Sequence, residues 1–264
     1  MLDPSWPWTP LVAWVLLAAL LALLVVRTAL KDRREYRRFT RYRTTLKRQA
    51  MMRKWLLDSL WSIGGVAVVV LVVAGRFVAP LLAELQSWLP IDPGLVWGII
   101  SGGAVALAVL TIVGIHSARH SPDDVATIGD IAAMLPRNRQ ELRLGWLLSI
   151  NAGVSEELLF RLALPALVFA ATGSAAVAVI VPLLLFGALH VYQGVAGVVG
   201  TTVVGGVLAA SYIATGSIVV PILLHALFDL RSLVLIPTAV YGAHRIDGRE
   251  HKFIARPRAA TRTS

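Results

Sequence analysis

The sequence lacks cysteine altogether and has few charged residues. Without cysteine there can be no disulfide, no thiolate metal site and no cysteine nucleophile. Charged residues make up only 15% of the chain and hydrophobic residues 57%, whereas soluble globular domains carry about 25% charged residues. This composition nearly excludes an ordinary water-soluble enzyme. It predicts an all-α, polytopic integral membrane protein.

Long apolar runs are what the sequence has in abundance. A helix needs about 20 apolar residues to cross a bilayer, and seven runs approach or exceed that length. They are residues 10–26, 56–82, 94–115, 144–170, 172–194, 195–216 and 217–241. We therefore predict a bundle of about seven transmembrane helices. It divides into a three-span region (1–143), a core (144–241) and a basic tail (242–264).

The basic residues indicate the orientation of this bundle. Of 25 lysines and arginines, 22 lie in three segments: 27–54, the loop 116–143 and the tail. Seven spans place all three segments on one side of the membrane, and positive loops stay in the cytoplasm. The sequence thus predicts a multi-pass cell-membrane protein with its N-terminus outside and its C-terminus in the cytoplasm.

The segment 27–54 carries a net charge of +10, with Tyr36, Phe39, Leu46 and Ala50 at roughly helical spacing. Nucleic-acid binding is one interpretation. The other is an interfacial helix lying on an anionic cytoplasmic leaflet. Because the segment is tied between two spans, we favour the lipid leaflet as its partner and expect no nucleic acid.

Ionisable residues inside the predicted spans are candidates for function, because burying them in a membrane is costly. They concentrate in the second half of the chain, and the candidates are Glu156, Glu157, Arg161, His190, His225 and Asp229. Glu157 and Arg161 are four residues apart and share a helix face, which predicts an ion pair. Glu156 is rotated by about 100° from Glu157 and needs a different partner.

A carboxylate beside two imidazoles is suited to hydrolysis. Glu156 can take a proton from water, while His190 and His225 can orient that water or donate to a developing oxyanion. A structural ion-pair network is the alternative. For Glu157 and Arg161 the two interpretations stand level; for Glu156 with two histidines from separate spans, catalysis is favoured.

Three strings carry a family resemblance. Residues 156–161 read EELLFR, residues 186–190 read FGALH, and residues 225–229 read HALFD. In order, spacing and apolar surroundings they resemble the motifs EExxxR, FxxxH and HxxxN/D of the CAAX protease and bacteriocin-processing family (the Abi family). This family of intramembrane endopeptidases includes the CAAX prenyl protease 2 type.

The resemblance implies a role for each candidate. Glu156 would activate water, Glu157 and Arg161 would support it, and His190, His225 and Asp229 would complete the site. The family often has asparagine at the last position, and Asp229 cannot donate a hydrogen bond unless it is protonated. A histidine-orienting or metal-binding role is therefore more plausible for Asp229 than an oxyanion-binding one.

A metal is the main open alternative for the cofactor. Two histidines and a carboxylate are a normal zinc set, here His190, His225 and Asp229, and the family is often labelled metalloprotease. The HExxH string of many zinc proteases is absent. What is known of the family's prenyl proteases favours a glutamate-activated water, so we expect no required cofactor, with Zn²⁺ as the alternative.

Straight helices at the predicted depths would not assemble this site, since Glu156, His190 and His225 lie at different distances from the inner ends of their spans. A break at 151–153, a kink at Pro221 or Pro237, or a fifth span that continues past Gln193 would each help. The expected function is hydrolysis of a peptide bond in a membrane-associated peptide or protein. The alternative is a non-enzymatic transporter, scaffold or immunity protein using these residues as a relay; we see no inverted repeat of the kind typical of transporters.

Overall fold

A computed structural model describes residues 1–88, 92–120 and 132–249 of the chain. In these residues the structure is helical and contains no β-strand, which confirms the all-α prediction. The main helices are α1 (Thr9–Arg27), α2 (Arg33–Phe39), α3 (Thr45–Ser59), α4 (Val66–Ala74), α5 (Val78–Trp88), α6 (Pro93–His120), α7 (Arg139–Glu157), α8 (Leu164–Thr172), α9 (Ala175–Leu189), α10 (Gly194–Thr215), α11 (Val219–Leu230) and α12 (Ile236–Ala239). The predicted tail beyond residue 249 and the middle of the 116–143 loop lie outside the described residues.

Four helical stretches of the described residues are long and apolar enough to cross a membrane. They are Thr9–Phe39, Thr45–Trp88, Val191–Thr215 and Val219–Ala239. Several of the predicted spans therefore have a structural counterpart, and the chain has the character of a multi-pass membrane protein. The count of seven spans stays a prediction.

The apolar core lies where α1, α4, α8 and α9 meet. α8 is buried on almost every side, and Leu164, Ala166 and Leu167 in it are at most 1% exposed. α1 contributes Leu17 and Leu20 to the same cluster. A helix that is apolar all round belongs in such a position, because every face of it can be buried.

A single long helix carries the first predicted motif. α7 joins α8 through a π-helical turn, Leu158–Ala163, and together they extend for about 50 Å at 1.5 Å per residue. Of the alternatives considered for assembling the site, a break at 151–153 does not occur, since α7 continues through these residues. Nor does the fifth span continue past Gln193, since α9 ends at Leu189. Because the long helix exceeds the bilayer core of about 30 Å, Glu156 near its middle can lie level with the end of α9.

Close packing of α7 against α11 brings the first and third motifs together. A Cβ atom on Gly153 would lie 2.9 Å from the carbonyl oxygen of Ile222 and 3.1 Å from the Cβ of Ala226. A Cβ atom on Gly145 would lie 2.9 Å from the carbonyl oxygen of Leu233. Glycine at these two positions lets the backbones approach, as small residues do in membrane helix pairs.

The basic segment 27–54 is not one continuous helix. It contains α2 and the start of α3, with a break between Phe39 and Thr45. Tyr36 and Phe39 are buried against protein, whereas Leu46 and Ala50 are exposed. The predicted interfacial helix is thus not confirmed, and half of its expected apolar face packs inside the molecule.

Arg48 of this segment is completely buried beside Glu141 of α7. Its Nε lies 3.1 Å and 3.2 Å from the two carboxylate oxygens of Glu141, and its Nη2 lies 3.1 Å from one of them. The same guanidinium donates to the carbonyl oxygens of Ala133 and Leu135. A buried ion pair is stable only when its remaining hydrogen-bonding groups also find partners, and here they do.

Further hydrogen bonds extend this pair into a network. Asn138 caps α7 by accepting from the Glu141 N–H at 2.9 Å and donates to Thr45 Oγ1 at 2.6 Å. Gln49 donates to Thr45 Oγ1 at 3.0 Å and to the carbonyl oxygen of Gly248 at 2.9 Å. We refer to these five side chains as the polar clasp: Thr45, Arg48, Gln49, Asn138 and Glu141. The clasp fastens α3 to the start of α7 and to the segment after α12.

Candidate active site

A cavity of about 290 Å³ lies between α7, the end of α9 and α11. Four of the six sequence candidates line it: Glu156, His190, His225 and Asp229. The other two, Glu157 and Arg161, are buried at its back. The three motifs, separate in sequence, therefore converge on one space.

Glu157 lies at the centre of the contacts behind the cavity and is 0% exposed. One of its carboxylate oxygens is 2.7 Å from Nδ1 of His225, and the other is 3.0 Å from Nε of Arg161. The pair with Arg161 follows the spacing of four residues along the helix; the bond to His225 crosses from α7 to α11. Glu157 thus links the first motif to the third.

Arg161 has little else to neutralise it. It is 4% exposed, and its Nη2 finds no hydrogen-bond partner among the described residues. Its guanidinium lies over the ring of Phe186, 4.9 Å from the centroid. Phe186 in turn packs close to Gly205 of α10, where an added Cβ would come within 2.8 Å of the ring. The cation therefore takes its nearest opposite charge from Glu157 and a cation–π contact from Phe186.

Hydrogen bonds at Nδ1 indicate that this ring nitrogen carries a proton in both histidines. Nδ1 of His190 lies 2.7 Å from the carbonyl oxygen of Phe186, and a carbonyl can only accept, so this nitrogen carries the proton. Nδ1 of His225 faces the carboxylate of Glu157 and donates in the same way. In each ring Nε2 is left as the nitrogen available for chemistry.

Glu156 and Asp229 are the acidic residues that the first and third motifs contribute to the cavity lining. Glu156 is half-buried, and we find no hydrogen bond or ion pair for it within the part of the chain that the structure describes. Asp229 Oδ2 lies 3.9 Å from Nε2 of His225, which is too long for a hydrogen bond. Glu156 is therefore the carboxylate most available to a water molecule or a substrate.

The side chains do not form a metal site as they stand. Over residues 1–88, 92–120 and 132–249, no three histidine, aspartate or glutamate side chains are close enough to hold one ion. The side chains of the candidate zinc set, His190, His225 and Asp229, would have to rearrange to bind one metal ion. Whether a metal is used stays a prediction.

Several cavity residues were missed by sequence reasoning. The wall opposite the motifs comes from the first part of the chain and includes Arg27, Asp32, Tyr36 and Trp55. Tyr192, two residues after His190, also lines the cavity. The basic character of 27–54 concealed the inward-facing aromatic residues. The one sequence signal for a side facing the protein interior was the spacing of Tyr36 and Phe39, which are three residues apart and so share a helix face.

Comparison with known proteins agrees with the motifs. Residues 138–231 match the family model described as type II CAAX prenyl endopeptidase Rce1-like. The match confirms the resemblance to the CAAX protease family, and it spans all three motifs. Neither the curated proteins nor the solved structures contain a match to the chain.

Proposed function

We propose that this chain, whose residues 138–231 match the family model of type II CAAX prenyl endopeptidases, is an intramembrane endopeptidase. It hydrolyses a peptide bond in a membrane-associated protein or peptide. The observation that carries the proposal is the cavity shared by Glu156, His190, His225 and Asp229. A carboxylate that lines the same cavity as two imidazoles can act as the general base that activates a water molecule for hydrolysis.

Glu156 acts as the general base. It takes a proton from a water molecule while the water oxygen attacks the carbonyl carbon of the scissile bond. The tetrahedral intermediate then collapses, the carbon–nitrogen bond breaks, and Glu156 returns the proton to the departing amine. His190, with Nδ1 bonded to Phe186, accepts a hydrogen bond from the attacking water through Nε2 and so orients it.

His225 stabilises charge as the reaction proceeds. Glu157 accepts a hydrogen bond from its Nδ1–H, which stabilises a His225 that already carries a proton on Nε2 as well. The Nε2–H of this imidazolium donates a hydrogen bond to the oxyanion and keeps its proton throughout. Arg161 anchors Glu157 from the other side. Asp229, 3.9 Å from Nε2 of His225, makes no hydrogen bond to this ring and contributes a second negative charge beside the imidazolium.

In the membrane, we propose the seven-span arrangement with the basic segments in the cytoplasm and the N-terminus outside. The basic residues that stay exposed on the 27–54 segment, such as Arg33 and Arg37, face an anionic leaflet, which places the substrate bond near the cytoplasmic surface. A water-activated mechanism needs no further cofactor; Zn²⁺ is the alternative.

The test is cleavage by purified protein with and without the base. Glu156→Gln keeps the shape of the side chain and removes its basicity, so hydrolysis should fall by at least ~10²-fold. Substrates are found by comparing membrane-associated peptides from wild-type and Glu156→Gln cells. Because His244 is exposed and lies outside the cavity, His244→Ala serves as the control. Near-normal cleavage by Glu156→Gln would refute the assignment.

A further inference from the structure

A row of rings connects the basic segment to His190. The ring of Tyr36 in α2 lies 5.3 Å, centroid to centroid, from the ring of Tyr192. Tyr192 lies 5.9 Å from the ring of His190, and His190 lies 5.0 Å from Phe186. Aromatic rings at 4.5–7 Å are in attractive contact. His190 is thus packed between Phe186 on one side and Tyr192, backed by Tyr36, on the other.

The chain that follows His190 does little to hold its ring. His190 ends α9 and is followed by a short 3₁₀ turn, Val191–Gln193, and by Gly194 at φ +79°. The one side-chain bond of His190, from Nδ1 to the Phe186 carbonyl, fixes a point on the ring. Its tilt about that point depends on the rings packed against it, Phe186 on one side and Tyr192 on the other.

α2 is held firmly enough to serve as a support. Glu35 accepts a hydrogen bond from the Trp55 indole at 2.9 Å, and Phe39 stacks on the same Trp55 with a centroid distance of 4.7 Å. Between these two contacts Tyr36 is only 6% exposed. The arginines of α2 point outward and do not compete for this space.

We infer that Tyr36, which lies outside the segment matched to the family, is a positioning residue that sets the orientation of His190 through Tyr192. The inference rests on the proposed function only for its effect on rate; the placement of the ring is a property of the fold. It assigns α2 a part in the active site that its arginine-rich sequence does not suggest.

The first experiment measures ring placement without any substrate. Diethyl pyrocarbonate modifies unprotonated histidine nitrogens, and mass spectrometry of the full-length protein gives a rate for His190, with exposed His244 as the internal reference. The rate at His190 should rise several-fold in Tyr36→Leu and in Tyr192→Leu, because each removes a ring from the row. Tyr36→Phe, which keeps the ring, should match the wild type.

The matched control is Tyr42→Ala. Tyr42 packs edge-on against Phe39 at 6.2 Å but does not line the cavity, so its loss reproduces any general loosening of α2. An unchanged His190 rate in Tyr36→Leu overturns the inference, as does an equal rise in Tyr42→Ala. Since no cleavage is needed, this outcome is independent of whether the proposed hydrolysis is correct.

The second experiment is a double-mutant cycle on cleavage. Misplacing a reacting group by about 1 Å costs on the order of 10²-fold in rate, so Tyr36→Leu should lower kcat by about that factor at most and leave KM nearly unchanged. If Tyr36 acts through Tyr192, the double variant should lose no more activity than Tyr192→Leu alone. Fully additive losses would overturn the route through Tyr192.

Discussion

Glu157 has a structural role that its neighbour Glu156 does not have. It is the acidic partner of buried Arg161 and also holds His225. Glu157→Ala leaves a buried cation unpaired, which costs roughly 3–5 kcal/mol. We expect this variant to lose thermal stability and expression as well as activity.

Glu156→Ala is the matched comparison for this effect. Both residues are glutamates at adjacent positions of one helix, but Glu156 faces the cavity and has no ion-pair partner among the described residues. Its replacement should abolish cleavage with little change in the melting temperature of the purified protein. Equal destabilisation by the two substitutions would contradict the separate roles assigned here.

Asp229 decides between the two cofactor hypotheses. If it binds zinc, Asp229→Asn should lose metal and activity together, since an amide is a poorer ligand than a carboxylate. If Glu156 works on a water without metal, the amide can donate a hydrogen bond to an oxyanion, and activity should survive or rise. Zinc content and peptide cleavage are to be measured on the same purified sample. Full activity without stoichiometric metal would remove the zinc hypothesis; matched loss of both would support it.

At the scale of the element, a stripe of small residues on α7 determines how closely this helix approaches α11. Gly145, Ser149 and Gly153 follow one another at intervals of four and end at Glu157, and a Cβ atom added to either glycine would come within 2.9 Å of a carbonyl oxygen on the α11 side. Gly153→Ala forces the helices apart, at a cost of about 1–3 kcal/mol. We expect reduced stability and a larger loss of activity, because the Glu157–His225 bond lies one turn away.

Gly206→Ala provides the control for this substitution. Gly206 is also in the interior of a long helix, α10, and nothing lies within 4 Å of a Cβ built there. Since alanine favours helix over glycine by about 1 kcal/mol, this variant should be as stable as the wild type or slightly more so. If Gly153→Ala behaves in the same way, the close approach of α7 and α11 is not important for the site.

Contacts within the long helix of α7 and α8 could be predicted from the sequence, whereas contacts between this helix and other helices could not. Contacts within a helix follow from spacing alone, so the Glu157–Arg161 pair was foreseeable. The Glu157–His225 bond depends on the register of two helices, which Gly153 sets by a contact that no local pattern reveals. The Tyr36–Tyr192 contact joins segments more than 150 residues apart, and the arginines around Tyr36 made that segment look wholly solvated. Charge patterns report where a segment is solvated and say nothing of its opposite face.

At the scale of the whole molecule, the distribution of positive charge makes a testable statement about orientation. Reporter fusions at Arg41, Asp130 and His251 should report the cytoplasm, and a fusion at Ser87 should report the outside, because basic segments resist translocation. Ser87 and Asp130 on the same side would contradict the seven-span arrangement. A second fusion after Gly216 should agree with Ser87, since Gln86 donates to the carbonyl oxygen of Ile213 near the same end of the molecule.

The polar clasp has a consequence for the order in which the protein is made. Arg48 emerges from the ribosome early, Glu141 much later, and Gly248, whose carbonyl accepts from Gln49, only after α12. Until Glu141 is made, Arg48 lacks its buried partner, and in the proposed seven-span arrangement it adds to the positive charge that would keep its loop in the cytoplasm. Once the last membrane helix is in place, the same side chain is withdrawn from water into the finished fold. In the proposed arrangement the same arginine would thus first help to orient its loop and afterwards join α3 to α7 in the folded protein.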